Sequence, residues 1–157
     1  MDTRDLRNCF GRFTTGVTVV TWGENEYDRS GITVNSFTTV SMDPPLILVS
    51  IDKGTKAYRN MKGKPFVVNI LSADQEALAW QFAGKNQQGL SIQWDQEKYG
   101  PILQGALATI ECSPWEEFDA GDHVLRVGKV ENYHYVDGDG LMFIQGKILN
   151  AQEQKIT

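Results

Sequence analysis

Three places in the chain carry side chains suited to chemistry. In Gly31 to Ile51 (GITVNSFTTVSMDPPLILVSI), residues Thr33, Asn35, Ser36, Thr38, Thr39 and Ser41 put hydroxyls and an amide on a β-branched stretch that would otherwise bury apolar groups. A buried hydroxyl without a partner costs about 1 to 3 kcal/mol, so these must face water, their own backbone or a polar ligand. A polar ligand is the reading with chemical content, and a water-filled barrel mouth is its rival. Next, Asp52-Lys53-Gly54-Thr55-Lys56 is a polar turn feeding a helix that begins near Ala57. The unpaired N–H groups of a first helical turn favour an anion such as phosphate, to which Thr55 and Lys56 add a hydroxyl and a cation. The plainer reading of Lys56 is a solvated charge. Last, Gly121-Asp122-His123 places an imidazole just after a hairpin turn, where Asp122 could also serve only to hold that turn.

The elements that position these groups follow from periodicity. Leu6, Cys9, Phe10 and Phe13 recur at helical spacing, with Asp2 or Thr3 as cap, so Asp2 to Phe13 reads as a short amphipathic helix with Cys9 on its apolar face. Val17 to Trp22 is a strand, Gly23 to Asp28 a hairpin loop, and Gly31 to Ser41 the returning strand. The chain breaks at Asp43-Pro44-Pro45, resumes as Leu46 to Ile51, forms a helix over Ala57 to Met61, and returns as the strand Pro65 to Leu71. Ser72 to Gln75 starts a helix running to about Phe82. Gly84 to Gly100 reads as a long surface loop, a length uncommon in compact domains unless functional or mobile. Gly105 to Phe118 and Asp122 to Val136 are long strands, Asp137 to Gly140 a turn, Leu141 to Ile144 a closing strand, and Asn150 to Thr157 a frayed polar tail. Hairpin spacing rather than βαβ alternation predicts an antiparallel barrel with short helices beside it.

Composition limits the function. With 157 residues and 41% hydrophobic content, the chain is expected to form a single domain over 1–157. A net charge of −5 argues against sequence-independent nucleic-acid binding. No apolar run approaches the roughly 20 residues of a membrane span, and the charged N-terminus does not resemble a signal peptide. The two cysteines, Cys9 and Cys112, lack zinc-ligand spacing and read as inert buried thiols, which points to a cytoplasmic, reducing setting. GxGxxG at a helix start, GxxxxGK[ST], HExxH and GxSxG are all missing, so neither dinucleotide fold, P-loop, zincin nor nucleophile elbow is offered. Trp80, Phe82, Trp94 and Trp115 read as core or interface packing.

The blocks FGRFTTGVTVVT (Phe10 to Thr21), GITVNSFTTVSMDPPLILVSI, PFVVNIL (Pro65 to Leu71), LAWQFAG (Leu78 to Gly84) and AGDHVLRVGKV (Ala120 to Val130) together resemble the flavin reductase-like family of FMN-binding split barrels. These are the small reductase components of two-component flavin-dependent monooxygenases. The resemblance implies a mainly β fold, a six-stranded antiparallel Greek-key split barrel with flanking short helices, assembled as a homodimer. It implies hydride transfer from NADH or NADPH to FMN or FAD, with a separate oxygenase component receiving reduced flavin. Thr33, Val34, Asn35 and Ser36 would then meet the polar edge of the flavin ring, and Ser50 and Ile51 would border the ring and ribityl chain. Gly54, Thr55 and Lys56 would hold the phosphate, with Asn69, Phe82 and Ala83 close by, and His123 would stand where the nicotinamide stacks. Two departures bear on the nicotinamide: Gln87-Gln88-Gly89-Leu90 stands where an Arg-Phe element is common, and Gln145 where a basic residue is. A flavin-binding electron carrier without nicotinamide activity, and a non-redox ligand-binding barrel, are the competing readings.

Overall fold

The computed structural model describes residues 1–150 of the chain. In order, the elements are α1 (Thr3–Phe10), β1 (Thr15–Gly16), β2 (Thr18–Trp22), β3 (Ser30–Val34), β4 (Thr38–Met42), β5 (Pro45–Asp52), α2 (Lys56–Asn60) and β6 (Phe66–Ile70). There follow α3 (Glu76–Gln81), β7 (Trp94–Glu97), β8 (Gly100–Leu103), β9 (Ala108–Ala120), β10 (His123–Tyr135), β11 (Leu141–Ile144) and β12 (Lys147–Asn150). The architecture is mainly antiparallel β with three short helices.

The main sheet has seven strands in the order β3-β2-β6-β9-β10-β5-β4, where six were expected. The difference lies in one segment. The expected Gly31 to Ser41 strand breaks at Asn35, Ser36 and Phe37, and its halves occupy opposite edges of the sheet. Four residue steps span at most about 14 Å, so the two edges must approach each other and the sheet is rolled. Ser36 fixes the approach: its Oγ donates to the Ser50 carbonyl and accepts from the Ser50 N–H, each at 3.0 Å.

Strand β2 is buried along its whole length because both its faces are covered. Val20 and Trp22 point into a cluster with Val49, Ile51, Phe66, Val68, Cys112 and Val124, inside the roll. Val17 and Val19 join Leu71, Ala79, Leu103 and Leu141 in a second cluster roofed by α3, β8 and β11. Gly128 on β10 admits the Phe66 ring, since a Cβ there would lie 2.6 Å from Phe66 Cζ.

Other expectations need correction. Helix α1 is capped by Asp2, which accepts from the Arg4 N–H at 2.9 Å, yet it has no buried residue. Cys9 is exposed, so the apolar face of α1 lies on no core among the described residues. The Gly84 to Gly100 loop contains the start of a small hairpin, β7–β8. Thr21 draws this hairpin onto β2 by donating to the Pro101 carbonyl at 2.6 Å. Asn150 belongs to β12, which pairs with β11; the rest of the expected frayed tail lies outside the described residues.

Candidate active site

Two adjacent clefts open beside the break between β3 and β4. The smaller, about 600 Å³, is walled by Gly31 and Thr33 of β3, by Thr55, Lys56 and Asn60 around α2, and by Phe82-Ala83-Gly84 after α3. Each wall has a local cause. Gly31 lets the Phe82 ring lie against β3, where a Cβ would come within 2.9 Å of it. Phe82 is held from the other side by an edge-to-face contact with Trp94, centroids 5.8 Å apart. Thr33 binds the end of α3 to β3, donating its hydroxyl to the Ala79 carbonyl at 2.6 Å and its N–H to the Phe82 carbonyl at 3.0 Å. Thr55 caps α2 by accepting from the Tyr58 N–H at 3.3 Å. The first two N–H groups of α2 therefore keep no intrahelical partner. Lys56 is exposed at this edge, and no ion pair engages it among the described residues.

The larger cleft, about 770 Å³, begins two residues further along, at Asn35, and is lined by His123, Arg7, Arg12, Phe13 and Gln145. His123 opens β10 opposite Asp52 at the end of β5. The Lys53 N–H donates to the Asp122 carbonyl at 2.9 Å, so the two turns form one structure. His123 Nδ1 lies 2.7 Å from Asp122 Oδ1. This hydrogen bond, and then the imidazole's charge, hold the Asp122 carboxyl below its ordinary value. An ionised carboxylate only accepts, so Nδ1 carries the proton and Nε2 is left to the cleft. The backbone of α1 reaches this cleft through the Gln145 N–H, which donates to the Gly11 carbonyl at 2.8 Å. Arg7 and Arg12 are exposed there, with no ion pair among the described residues.

The structure thus gathers Thr33, Thr55, Lys56, Phe82 and Ala83 on one cleft and Asn35 and His123 on its neighbour. It does not place the rest there. Asn69 is wholly buried, and its side chain is consumed by the Val19 carbonyl and Thr21 Oγ1, both at 2.9 Å, and by the Leu103 N–H at 3.0 Å. Ile51 is a core residue at 1% exposure, and Val34 packs against the same core. The Ser36 hydroxyl and the Ser50 backbone satisfy each other. The Gly54 N–H is taken by Asp52 Oδ1 at 2.8 Å, and Gly54 lines neither cleft. Sequence reasoning missed Arg7, Arg12, Phe13 and Asn60. A partial signal for the first three existed: Arg7 and Phe10 stand three residues apart on α1, with Arg12 and Phe13 just after it.

A cleft with an aromatic wall, a capped helix start and a lysine without an ion pair among the described residues, beside a second cleft with an imidazole and two arginines, suits a nucleotide cofactor. The donor set suits a flat ring with an anionic tail. The chain belongs to the flavin reductase-like family, whose model, the flavin reductase like domain, matches residues 10–152. It is 40% identical over 150 residues to a NADH-dependent flavin reductase from a Rhodococcus species, covering 94% of this chain and 85% of that protein. It is 38% identical over 146 residues to the reductase component of a flavin-dependent trigonelline monooxygenase from Acinetobacter baylyi, covering 91% of this chain but 47% of that protein's length. Among solved structures it superposes on the flavin reductase PheA2 in its native state, with TM-score 0.90, 39% identity, and coverage of 96% of this chain and 98% of that one.

Proposed function

We propose that this chain, as an NAD(P)H-dependent flavin reductase, holds FMN or FAD in the smaller cleft and the reduced nicotinamide in the larger one. The observation that carries this placement is that Thr33, Thr55, Lys56 and Phe82 share one cleft whose neighbour, two residues along at Asn35, contains His123. Bound flavin supplies the hydride acceptor. The protein's own work is to stack and orient two rings and keep water from between them. Lys56 and the first α2 amides meet the flavin's phosphate, and Phe82 and Ala83 flank its body. Asn35, whose side chain has no hydrogen-bond partner among the described residues, offers an amide where the clefts meet. His123 presents Nε2, unprotonated in the neutral imidazole, as acceptor for the nicotinamide carboxamide. Arg7 and Arg12 face the nucleotide's phosphates.

The rolled sheet reads as the six-stranded split barrel, with β3 and β4 counted as one interrupted strand, in a single domain. A homodimer would cover apolar surface that this chain leaves bare: Phe10 and Phe13 at and just after α1, Met42 on β4, and Trp115 and Phe118 on β9. Reduced flavin would pass to a separate oxygenase component in the cytoplasm, where NADH and NADPH are made. No helix among the described residues is long and apolar enough to cross a membrane.

The test follows nicotinamide oxidation at its near-ultraviolet band with NADH or NADPH against FMN or FAD. Oxidation that requires both partners and saturates in each is expected. A protein that binds flavin but leaves both nicotinamides untouched is instead an electron carrier.

A further inference from the structure

Arg126 is a charged side chain at 3% exposure, carried on β10 and away from both clefts. Its Nε donates to Glu117 Oε1 on β9 at 2.6 Å, directly across the β9–β10 pairing. Its Nη1 donates to the Ala57 carbonyl at 2.9 Å and its Nη2 to the Tyr58 carbonyl, while the guanidinium sits 5.7 Å from the Tyr58 ring centroid. Each of the three guanidinium nitrogens thus donates a hydrogen bond, and two of the three bonds fall on the five-residue helix α2.

Such a helix is too short to hold its shape alone, since nucleation is costly and isolated helices below about 12 residues are marginal in water. Thr55 fixes its start, and Ala57 buries its only core side chain. Arg126 supplies the remaining anchor, and the planar fork of a guanidinium can do this where an ammonium cannot. Lys56 and Asn60, on the cleft side of α2, are thereby held against the smaller cleft.

We infer that Arg126, oriented by Glu117, is a positioning residue for the phosphate end of the flavin: it clamps α2 so that Lys56 and its neighbours meet the anionic tail. This rests on the assignment of the smaller cleft to flavin. It concerns no contact between Arg126 and any ligand.

The test compares FMN with riboflavin, which has the same ring and no phosphate. Binding to R126M, R126K and K56A is measured by quenching of flavin fluorescence, with the melting temperature of each variant recorded. For both Arg126 variants the Kd for FMN is expected to rise about tenfold, the worth of one charge-assisted contact, and that for riboflavin by less than twofold. The reductase rate at saturating FMN should be kept. Equal loss of both flavins would mean that Arg126 only supports the fold, and unchanged FMN binding would mean that α2 needs no clamp; either overturns the inference. If R126M does not fold, R126K decides by the same criterion. Phosphate-selective loss in K56A but not in R126K overturns the clamp alone, whereas no weakening of FMN relative to riboflavin in either variant overturns the flavin assignment beneath it.

Discussion

Replacing His123 with alanine separates the two clefts. The imidazole is 40% exposed, held at Nδ1 by Asp122 at 2.7 Å, and lines the larger cleft and not the smaller. Its removal takes away one hydrogen-bond acceptor and one face for stacking, together about 1 to 2 kcal/mol in a partly solvated site. That corresponds to a fall of about 5- to 30-fold in kcat/KM for the nicotinamide. Because a misplaced ring loses both affinity and near-attack geometry, KM should rise and kcat should fall together. Flavin affinity should change by less than twofold, since Lys56 and the Phe82 wall are untouched. Steady-state nicotinamide oxidation at saturating flavin gives the first two quantities, and flavin fluorescence titration gives the third. D122N, which keeps an acceptor for the Nδ1 proton, should fall between wild type and H123A. Unchanged kinetics in H123A would refute the role given to His123. A matching loss of flavin affinity would refute the division into two clefts.

Asn69→Ala should lower stability by about 2 to 4 kcal/mol, because it strands the buried Leu103 N–H and removes a donor from the Val19 carbonyl and Thr21 Oγ1, while flavin affinity at a temperature where it is folded stays within twofold. Denaturant unfolding and flavin titration check both halves, and a selective loss of flavin binding would restore Asn69 to the site. A thiol reagent at pH 8 should label Cys9 alone in the native protein and both cysteines in denaturant, since Cys9 is exposed whereas burial, helped by the Glu131 and Glu111 charges, pushes the Cys112 thiol up to about 12. Acid should loosen the Gly23 to Asp28 hairpin. Asp28 accepts from the Asn25 and Glu24 N–H groups, at 2.8 and 2.9 Å, and these bonds lower its pKa in the folded state. Its support is therefore full above the unfolded value of about 4 and is lost as pH falls through the lower folded value. Amide exchange at Glu24 and Asn25 should rise over that window, and D28N should remove the pH dependence.

Much of the fold could be read from residue pattern because most elements here declare themselves locally. The β-branched run Val17 to Trp22, the Asp119-Ala120-Gly121 turn between two long strands, and Thr55 as a helix cap each depend on near neighbours. The failures depend on distant ones. Nothing within Gly31 to Ser41 marks Asn35–Phe37 as the place where one strand becomes the two edges of a sheet, because the break is imposed by the closing of β3 and β4 onto the roll. The hairpin β7–β8 was hidden for the same reason: Trp94 to Glu97 is polar, and it is strand because Pro101 and Leu103 are drawn in by Thr21 and Asn69.

The hydroxyl-rich strand shows where reasoning from polarity alone stops. Thr33, Asn35 and Ser36 are polar groups in want of a partner, and for the two hydroxyls the protein backbone supplies one. The Thr33 hydroxyl holds α3, and the Ser36 hydroxyl holds β5, so both satisfy protein backbone from other parts of the chain. Both shape the site: Thr33 ties the end of α3 and Phe82 to β3, and Ser36 ties the break at Asn35–Phe37 to β5. Asn35, where the backbone leaves the sheet, lines the larger cleft, and no hydrogen bond engages its amide among the described residues. A hydroxyl can satisfy a carbonyl anywhere it is packed, so its presence in sequence marks a polar demand without saying who meets it. A lysine or arginine at the lip of a cleft, as at Lys56, Arg7 and Arg12, is a stronger pointer to a ligand once the fold shows that no carboxylate among the described residues pairs with it.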